Sequence, residues 1–390
     1  MTNKQFTIRF IYISLLLLVL IGLFNRIIDP FWYYRDIEIA GINATKLAYQ
    51  NYERQIKPAL LMRDQPEAII LGSSYAEIGF DPNNKFFTND GHLKGMNLAL
   101  ARVSDDEVQC NFEFAVAHAH IKRAVIGFHP AGMAEADCKK FAKLGQINEI
   151  EFLLSMSSLR DSINTIKKQK NAKPTHTRDG QYFFMRDNPG VNIRFGEDFE
   201  RYKKKNPNCV KASDRPFDYV PANTVDLSGL RKMIRIAKEH NIELVLFAYP
   251  RHAYSLELDN QCGDQNTNWR AMKQIANLIE AEAKPDQVRA WQFYSYNELT
   301  TEPIGTSAKY WQDSRHFNFE MGNMMLADMF GENANGPKLG RPITTNSIEA
   351  DFRDFLRGRT EYLQHHPEFH AEIQKLQHIC SDPTSKCQPF

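Results

Sequence analysis

Apolar and polar positions divide this chain unevenly. Ile11 to Phe24 is apolar apart from Ser14, and Leu15 to Leu20 is nearly pure leucine. Extended to Ile28, the run approaches the roughly 20 residues that span a bilayer as a helix. Lys4 and Arg9 precede it, while Arg26 and Arg35 follow, so the charge bias favours a cytoplasmic N-terminus only weakly. A cleaved signal peptide is the rival reading. No small-x-small site follows Phe24, however, and Phe31-Trp32-Tyr33-Tyr34 suits an interfacial aromatic belt. The expectation is a transmembrane anchor within residues 1–29. A membrane-proximal connection over 30–65 follows, with a helix from Ala44 to Leu61.

Beyond residue 66 the pattern changes to short apolar runs alternating with stretches of helical spacing. Ala68–Leu71, Gly95–Leu100 and Ala124–Phe128 read as buried strands. Asp105 to His118 carries Val108, Phe112, Ala115 and Val116 on one helical face. The rhythm breaks between about 134 and 225, where one amphipathic helix is expected within Ile147–Lys168 and Lys170–Asn223 is polar. Such an interruption is a solvated insertion or a mobile lid. The sheet pattern resumes with a helix over Leu227–His240, a strand over Glu243–Ala248, a helix over Trp269–Ala283 and a last strand over Val288–Phe293. A helix follows over Phe319–Phe330, and residues 336–390 read as a charged helical appendage. The expected fold is α/β: a three-layer α/β/α doubly wound parallel sheet spanning 66–335, behind an N-terminal transmembrane helix.

Composition narrows the function. The chain has 390 residues, 43% of them hydrophobic and 24% charged, with 48 basic against 47 acidic side chains. That balance, with no basic aromatic patch and no zinc-finger spacing, excludes an evident nucleic-acid binder. Six cysteines (Cys110, Cys138, Cys209, Cys262, Cys380 and Cys387) follow the apolar segment. An even count there is consistent with disulfides outside the cytoplasm, and Cys380–Cys387 is the first pairing expected from proximity. Buried thiols are the alternative. No Cys-x-x-Cys occurs, glycine-rich phosphate loops are absent, and neither a metal nor a cofactor is expected. His118 and His120 close a helix, where surface placement outweighs metal ligation.

Two stretches carry chemistry. Gly72-Ser73-Ser74 ends the first strand, and Asp313-Ser314-Arg315-His316 precedes the helix after the last. In a doubly wound sheet both fall at the carboxyl edge of the strands, where ligands collect. A serine hydroxyl needs a base to take its proton, the base is usually histidine, and a carboxylate commonly orients it. Asp313 and His316 supply that pair at i, i+3 spacing. Each motif alone recurs by chance; their placement at one edge is what joins them. Tyr249-Pro250-Arg251-His252 follows the clearest strand and belongs to the same edge. There Arg251 and His252 either meet an anionic or sugar substrate or cap the sheet.

The chain resembles the SGNH/GDSL hydrolases, and within them a membrane-anchored branch concerned with acylation of envelope polysaccharides and teichoic acids. The residues behind the resemblance are Asp29-Pro30-Phe31, Gly72-Ser73-Ser74, Asn97-Leu98-Ala99-Leu100 and Asp313-x-x-His316. It implies a flavodoxin-like fold, Ser74 as nucleophile, His316 as base and Asp313 as its orienting partner. It implies an oxyanion site from the Ser74 and Arg102 N–H groups, with Asn97 shaping that turn. Two departures stand out. Arg102 occupies the position where the family often has Gly, and Gly127-Phe128-His129-Pro130 lacks the family's Gly-x-Asn. His129 either donates in place of that Asn or packs against Pro130. The implied function is a serine esterase or O-acyltransferase on a cell-envelope glycan, facing the periplasm from the inner membrane. The alternative is a noncatalytic scaffold partnering a multi-pass membrane acyltransferase or glycan exporter. A cytosol-facing α/β protein is a lesser rival.

Overall fold

A computed structural model of the chain describes residues 2–130, 132–183, 190–205, 225–261, 264–284, 286–331 and 338–378. The chain forms two compact units, one of Met1–Asp64 with Lys143–Arg178 and one of Gln65–Ala142 with Asp179–Phe390. Elements follow in chain order. The chain opens with α1 (Asn3–Ile28) and α2 (Tyr49–Asp64). Next come β1 (Ala68–Leu71), α3 (Ser74–Gly79), α4 (Lys85–Thr88), β2 (Gly95–Asn97), α5 (Asp105–His118) and β3 (Arg123–Phe128). The interruption holds α6 (Glu149–Leu154), α7 (Met156–Lys168) and α8 (Val191–Lys205). Then follow α9 (Ser228–Glu239), β4 (Glu243–Ala248), α10 (Ala253–Gln261), α11 (Asp264–Glu282), β5 (Val288–Gln292) and α12 (Phe319–Met329). The last elements are β6 (Arg341–Pro342), α13 (Ile348–His365) and α14 (Phe369–His378).

The second unit is built on one sheet of order β2-β1-β3-β4-β5-β6. The first five strands are parallel, and β6 pairs antiparallel with β5. Every residue of β1 is buried, as is every residue of β4 after Glu243. Strands buried on both faces read as continuous apolar runs, which is why these two were evident in the sequence. The strand order reverses at β1, so the carboxyl ends of β1 and β3 flank the switch point where α/β sheets bind ligands. Cys110 of α5 and Cys138 form a disulfide across 28 residues. Cys209, Cys262, Cys380 and Cys387 lie outside the described residues, and with them the expected Cys380–Cys387 pair.

In the first unit, α1 is the one helix among the described residues long and apolar enough to cross a membrane. Asp29 ends it in a left-handed conformation, with φ 45°. Its carboxylate accepts the N–H groups of Tyr33 at 2.8 Å and Arg35 at 2.9 Å, which turns the aromatic cluster back.

Three expectations are corrected. The single helix within Ile147–Lys168 is two, because Ser155 ends α6 and caps α7, accepting the Ser158 N–H on its hydroxyl at 3.1 Å. The 134–225 interruption is not one insertion: Lys143–Arg178 groups with α1, whereas α8 groups with the sheet. The C-terminal helices are not an appendage. Phe352 and Phe355 of α13 pack on Trp269 of α11, and Phe369, Ile373 and Leu376 of α14 join Phe195 and Phe199 of α8 in one apolar cluster. Their charges mislead because some are paired inward; Arg359, for instance, grips Glu257 through two bonds of 2.7 and 2.6 Å.

Helices α3 and α12 cross at two glycines. A Cβ on Gly322 would sit 1.7 Å from the Gly79 carbonyl oxygen, and one on Gly79 would sit 2.1 Å from the Phe317 ring. This contact fixes the helix that starts at Ser74 against the helix that follows His316. Gly322→Ala is expected to destabilise the protein by roughly 1–3 kcal/mol through overpacking. A lowered thermal midpoint for the purified chain in detergent checks it.

Candidate active site

The first strand delivers Ser74 to the carboxyl edge through a turn that only Gly72 permits. Its φ is +141°, and a Cβ there would lie 2.6 Å from the Tyr249 hydroxyl. That hydroxyl accepts the Ser73 N–H at 2.8 Å, fixing the turn from the end of β4. Ser73 is then the extended N-cap of α3, and Ser74 is its first helical residue.

The Asp313–His316 loop arrives from the other side. Trp311 and Phe317 pair as an isolated antiparallel bridge, and the Gln312 N–H donates to the His316 carbonyl at 2.8 Å. Within this tight loop, Asp313 Oδ1 accepts the N–H groups of Arg315 at 2.9 Å and His316 at 2.8 Å. The His316 ring turns its Nδ1 onto the same carboxylate, 2.7 Å from Oδ2 and 2.9 Å from Oδ1. Nδ1–H therefore donates to Asp313, leaving Nε2 as the acceptor. Nε2 lies 2.8 Å from the Ser74 hydroxyl oxygen. Residues 242 positions apart thus form one hydrogen-bonded chain, Ser74–His316–Asp313.

Burial by itself would raise the pKa of Asp313, which is fully buried. The His316 ring and the two backbone donors outweigh that and hold the carboxylate below its usual range. The tip of the loop is tied to α8. The Ser314 hydroxyl donates to Asp198 Oδ2 of α8 at 2.9 Å, and Arg194 Nη1 donates to the Gln312 carbonyl at 3.2 Å. From α10, the Ser255 hydroxyl donates to the Ser314 carbonyl at 2.7 Å. Burial, with the nearby Asp313 charge adding to it, pushes the Asp198 carboxyl up to about 6.

Aromatic rings floor the site. Tyr75 stacks on His316 at 5.0 Å and on Tyr249 at 4.7 Å between centroids. The His129 ring lies 5.1 Å from Tyr249 and 6.4 Å from Tyr75. His129 is half-exposed and its Nδ1 meets Asp105 Oδ1 at 3.2 Å. With Nδ1–H given to the Asp105 carboxylate, Nε2 of the neutral ring is an acceptor, and the ring donates from both nitrogens only as an imidazolium.

The remaining candidates separate. Asn97 is fully buried, and its amide donates to the carbonyls of Ala76 at 3.1 Å, Glu77 at 3.3 Å and Phe80 at 3.0 Å. It closes the carbonyl end of α3 and is not aimed at an oxyanion. Arg102 takes the left-handed conformation, φ 57°, in the place where glycine would be easy. Two residues earlier the Leu100 N–H donates to the Gly72 carbonyl at 3.0 Å, which holds this loop against the turn before Ser74. Arg251 is mostly buried and faces Asp259 at 3.7 Å. Burial opposes its charge, but Asp259 and neighbouring tyrosines raise its pKa, so it is a stable buried cation.

His252 is a correction. It is fully buried, donates from Nε2 to the Glu302 carbonyl at 2.8 Å, and accepts the Tyr254 N–H on Nδ1 at 3.2 Å. Burial pushes its pKa down to about 3, so it is a neutral structural residue, not a substrate contact. His118 is on the surface, bonded to the Phe114 carbonyl at 2.9 Å. Sequence reasoning missed Tyr249 as the clamp on Ser73, Tyr75 as the stacking partner of His316, and Asp198. Tyr249 follows the best strand, and Tyr75 follows the serine, so both carried a signal; Asp198, in a polar stretch, carried none.

No known protein family matches this chain, and no curated protein is similar to it.

Asp198 gives a pH signature. Its folded-state pKa lies above that of a free carboxyl, so its contribution to stability is fully present below about pH 4 and is lost as pH rises through about 6. Asp198→Asn is expected to flatten the fall in thermal midpoint over that window relative to wild type, read by melting the two proteins side by side from pH 4 to 7.

Proposed function

We propose that this protein is a serine-dependent ester hydrolase or O-acyltransferase of SGNH type, anchored by α1, with its sheet domain outside the cytoplasm and an acylated envelope glycan as substrate. The single observation behind the reading is the relay in which Ser74 Oγ, His316 Nε2, His316 Nδ1 and Asp313 are joined at 2.8 and 2.7 Å.

As Ser74 Oγ attacks an acyl carbonyl, His316 Nε2 takes its proton. Asp313 stabilises the imidazolium that forms and fixes the ring, while Tyr75 stacked on the ring keeps it from swinging. Negative charge on the carbonyl oxygen develops next to the first turn of α3. There the Ser74 N–H has no intrahelical acceptor, so it can donate to that oxygen. The Arg102 N–H is the second donor in this scheme, and His129, as an imidazolium with Nδ1–H on Asp105 and Nε2–H free to donate, is the side-chain donor in place of the family's amide. The proton on His316 then passes to the departing alkoxide oxygen. An acyl group remains on Ser74 until water or a sugar hydroxyl, deprotonated by the same imidazole, removes it. The glycan substrate rests on the membrane-anchored branch that the motifs resemble and on the export implied by the Cys110–Cys138 disulfide.

The scaffold reading draws on Gly127-Phe128-His129-Pro130, which lacks an amide at the oxyanion position. The intact relay favours the enzyme, since a scaffold has no need of a buried carboxylate aligned behind a histidine.

Fluorophosphonate labelling tests the proposal. Wild type is expected to label and Ser74→Ala is not; a folded wild type that never labels would overturn it. Asp313→Asn is expected to slow turnover of a p-nitrophenyl acetate probe by about 10⁴-fold, with little change in KM, because it removes the orientation and charge balance of His316. His129→Ala is expected to slow the same probe by roughly 10²-fold or more if the ring stabilises the oxyanion.

A further inference from the structure

Helix α7 is built inside out. Its buried positions are Ser158, Ser162 and Thr165, followed by buried Gln169 in the next turn. Its apolar side chains face outward: Met156 is 76% exposed, and Ile163 and Ile166 are 38% and 37% exposed. With half-exposed Leu159 they recur at intervals of three and four, one continuous helical stripe. A helix docked on a water-soluble core turns that stripe inward. The preceding α6 does the same in part, burying Phe152 while exposing Ile150 and Leu154.

The inverted faces have a place in the fold. Both helices pack on α1. A Cβ on Gly22 would stand 3.3 Å from Leu154 Cδ2, and the Asn25 side-chain amide donates to the Leu153 carbonyl at 2.7 Å. These contacts fall within the last two turns of α1, about 9 Å from its end at Ile28. The neighbouring surface of α1 is itself apolar and exposed, at Leu20, Leu23 and Ile27. The outward stripe therefore continues the apolar surface of α1, the helix suited to a bilayer. Lys167 and Lys168 close α7, and exposed Lys170 follows, placing cations beside the stripe where anionic headgroups would lie.

We propose that α6 and α7 form a second membrane contact, two successive helices lying in the bilayer interface beside α1, with their apolar stripe among the acyl chains and their lysines at anionic lipid headgroups. The small hydroxyl residues on the inner face allow close packing on the anchor without a lipid-filled gap. The two helices thereby fix the rotation and depth of α1, which a lone spanning helix does not. The proposal rests on α1 crossing the membrane and is independent of the chemistry at Ser74.

The test uses the unmodified full chain in vesicles of phosphatidylcholine and phosphatidylglycerol carrying a trace of phospholipid with a diazirine in its acyl chain. After irradiation, adducts are mapped by peptide mass. Adducts are expected on α1 and on 150–166, severalfold above the background on strand β4, which is buried in the sheet. Ile163→Asp with Ile166→Asp is expected to lower labelling of 150–166 severalfold while leaving α1 labelled. Label on α1 with none on 150–166 would overturn the proposal, and crosslinks from Lys167 or Lys168 to a second protein in native membranes would then assign the stripe to that protein. An unlabelled α1 would remove the anchor reading and this proposal together, while leaving the fluorophosphonate result untouched.

Discussion

The Asp313 carboxylate is the point on which the site depends. It is removed from water and surrounded by donors from its own turn, so it stays ionised where burial would otherwise neutralise it. Its charge sets the tautomer of His316, and the tautomer decides that Nε2 faces Ser74 as an acceptor. The i, i+3 spacing matters because it lets one carboxylate close the loop backbone and orient the ring at the same time.

That loop is held from three directions. The α3–α12 glycine contact sets the distance between the serine and the histidine. The Trp311 indole donates to the Leu299 carbonyl at 2.7 Å and anchors the base of the loop. Helix α8 holds the tip, and α8 is in turn covered by α14 through Phe369, Ile373 and Leu376. A charged C-terminal segment thus supports a polar internal one, which supports the loop that carries Asp313 and His316. Asp198 at the centre of this support is partly protonated near pH 6, so its bond to Ser314 is sensitive to pH in a way the relay's own carboxylate is not.

In the first unit polar groups again do the organising. Asp29 folds the aromatic segment back, the Lys46 ammonium donates to the Ile28 carbonyl at 2.8 Å, and Gln169 exchanges hydrogen bonds with the Thr45 backbone at 2.6 and 3.0 Å. Interior hydrogen bonds and exterior apolar side chains are the arrangement expected where the surroundings are lipid, because the medium supplies no partners for polar groups.

Sequence by itself determined what repeats or runs locally. The apolar N-terminal segment, the buried strands and the helices flanking them follow from periodicity alone, because a strand buried on both faces cannot be written in polar residues. Gly72-Ser73-Ser74 and Asp313-x-x-His316 were legible as candidates because strand ends and short loops are local features. Tertiary structure alone decided which residues meet. The pairing of Ser74 with His316 depends on two loops arriving at one sheet edge. The neutrality of His252 depends on complete burial, and Asn97 became a brace because two carbonyls of α3 and that of Phe80 just beyond it surround it. The inverted face of α7 shows the limit most clearly: periodicity announced an amphipathic helix, but only the packing against α1 decided which of its two faces is inside.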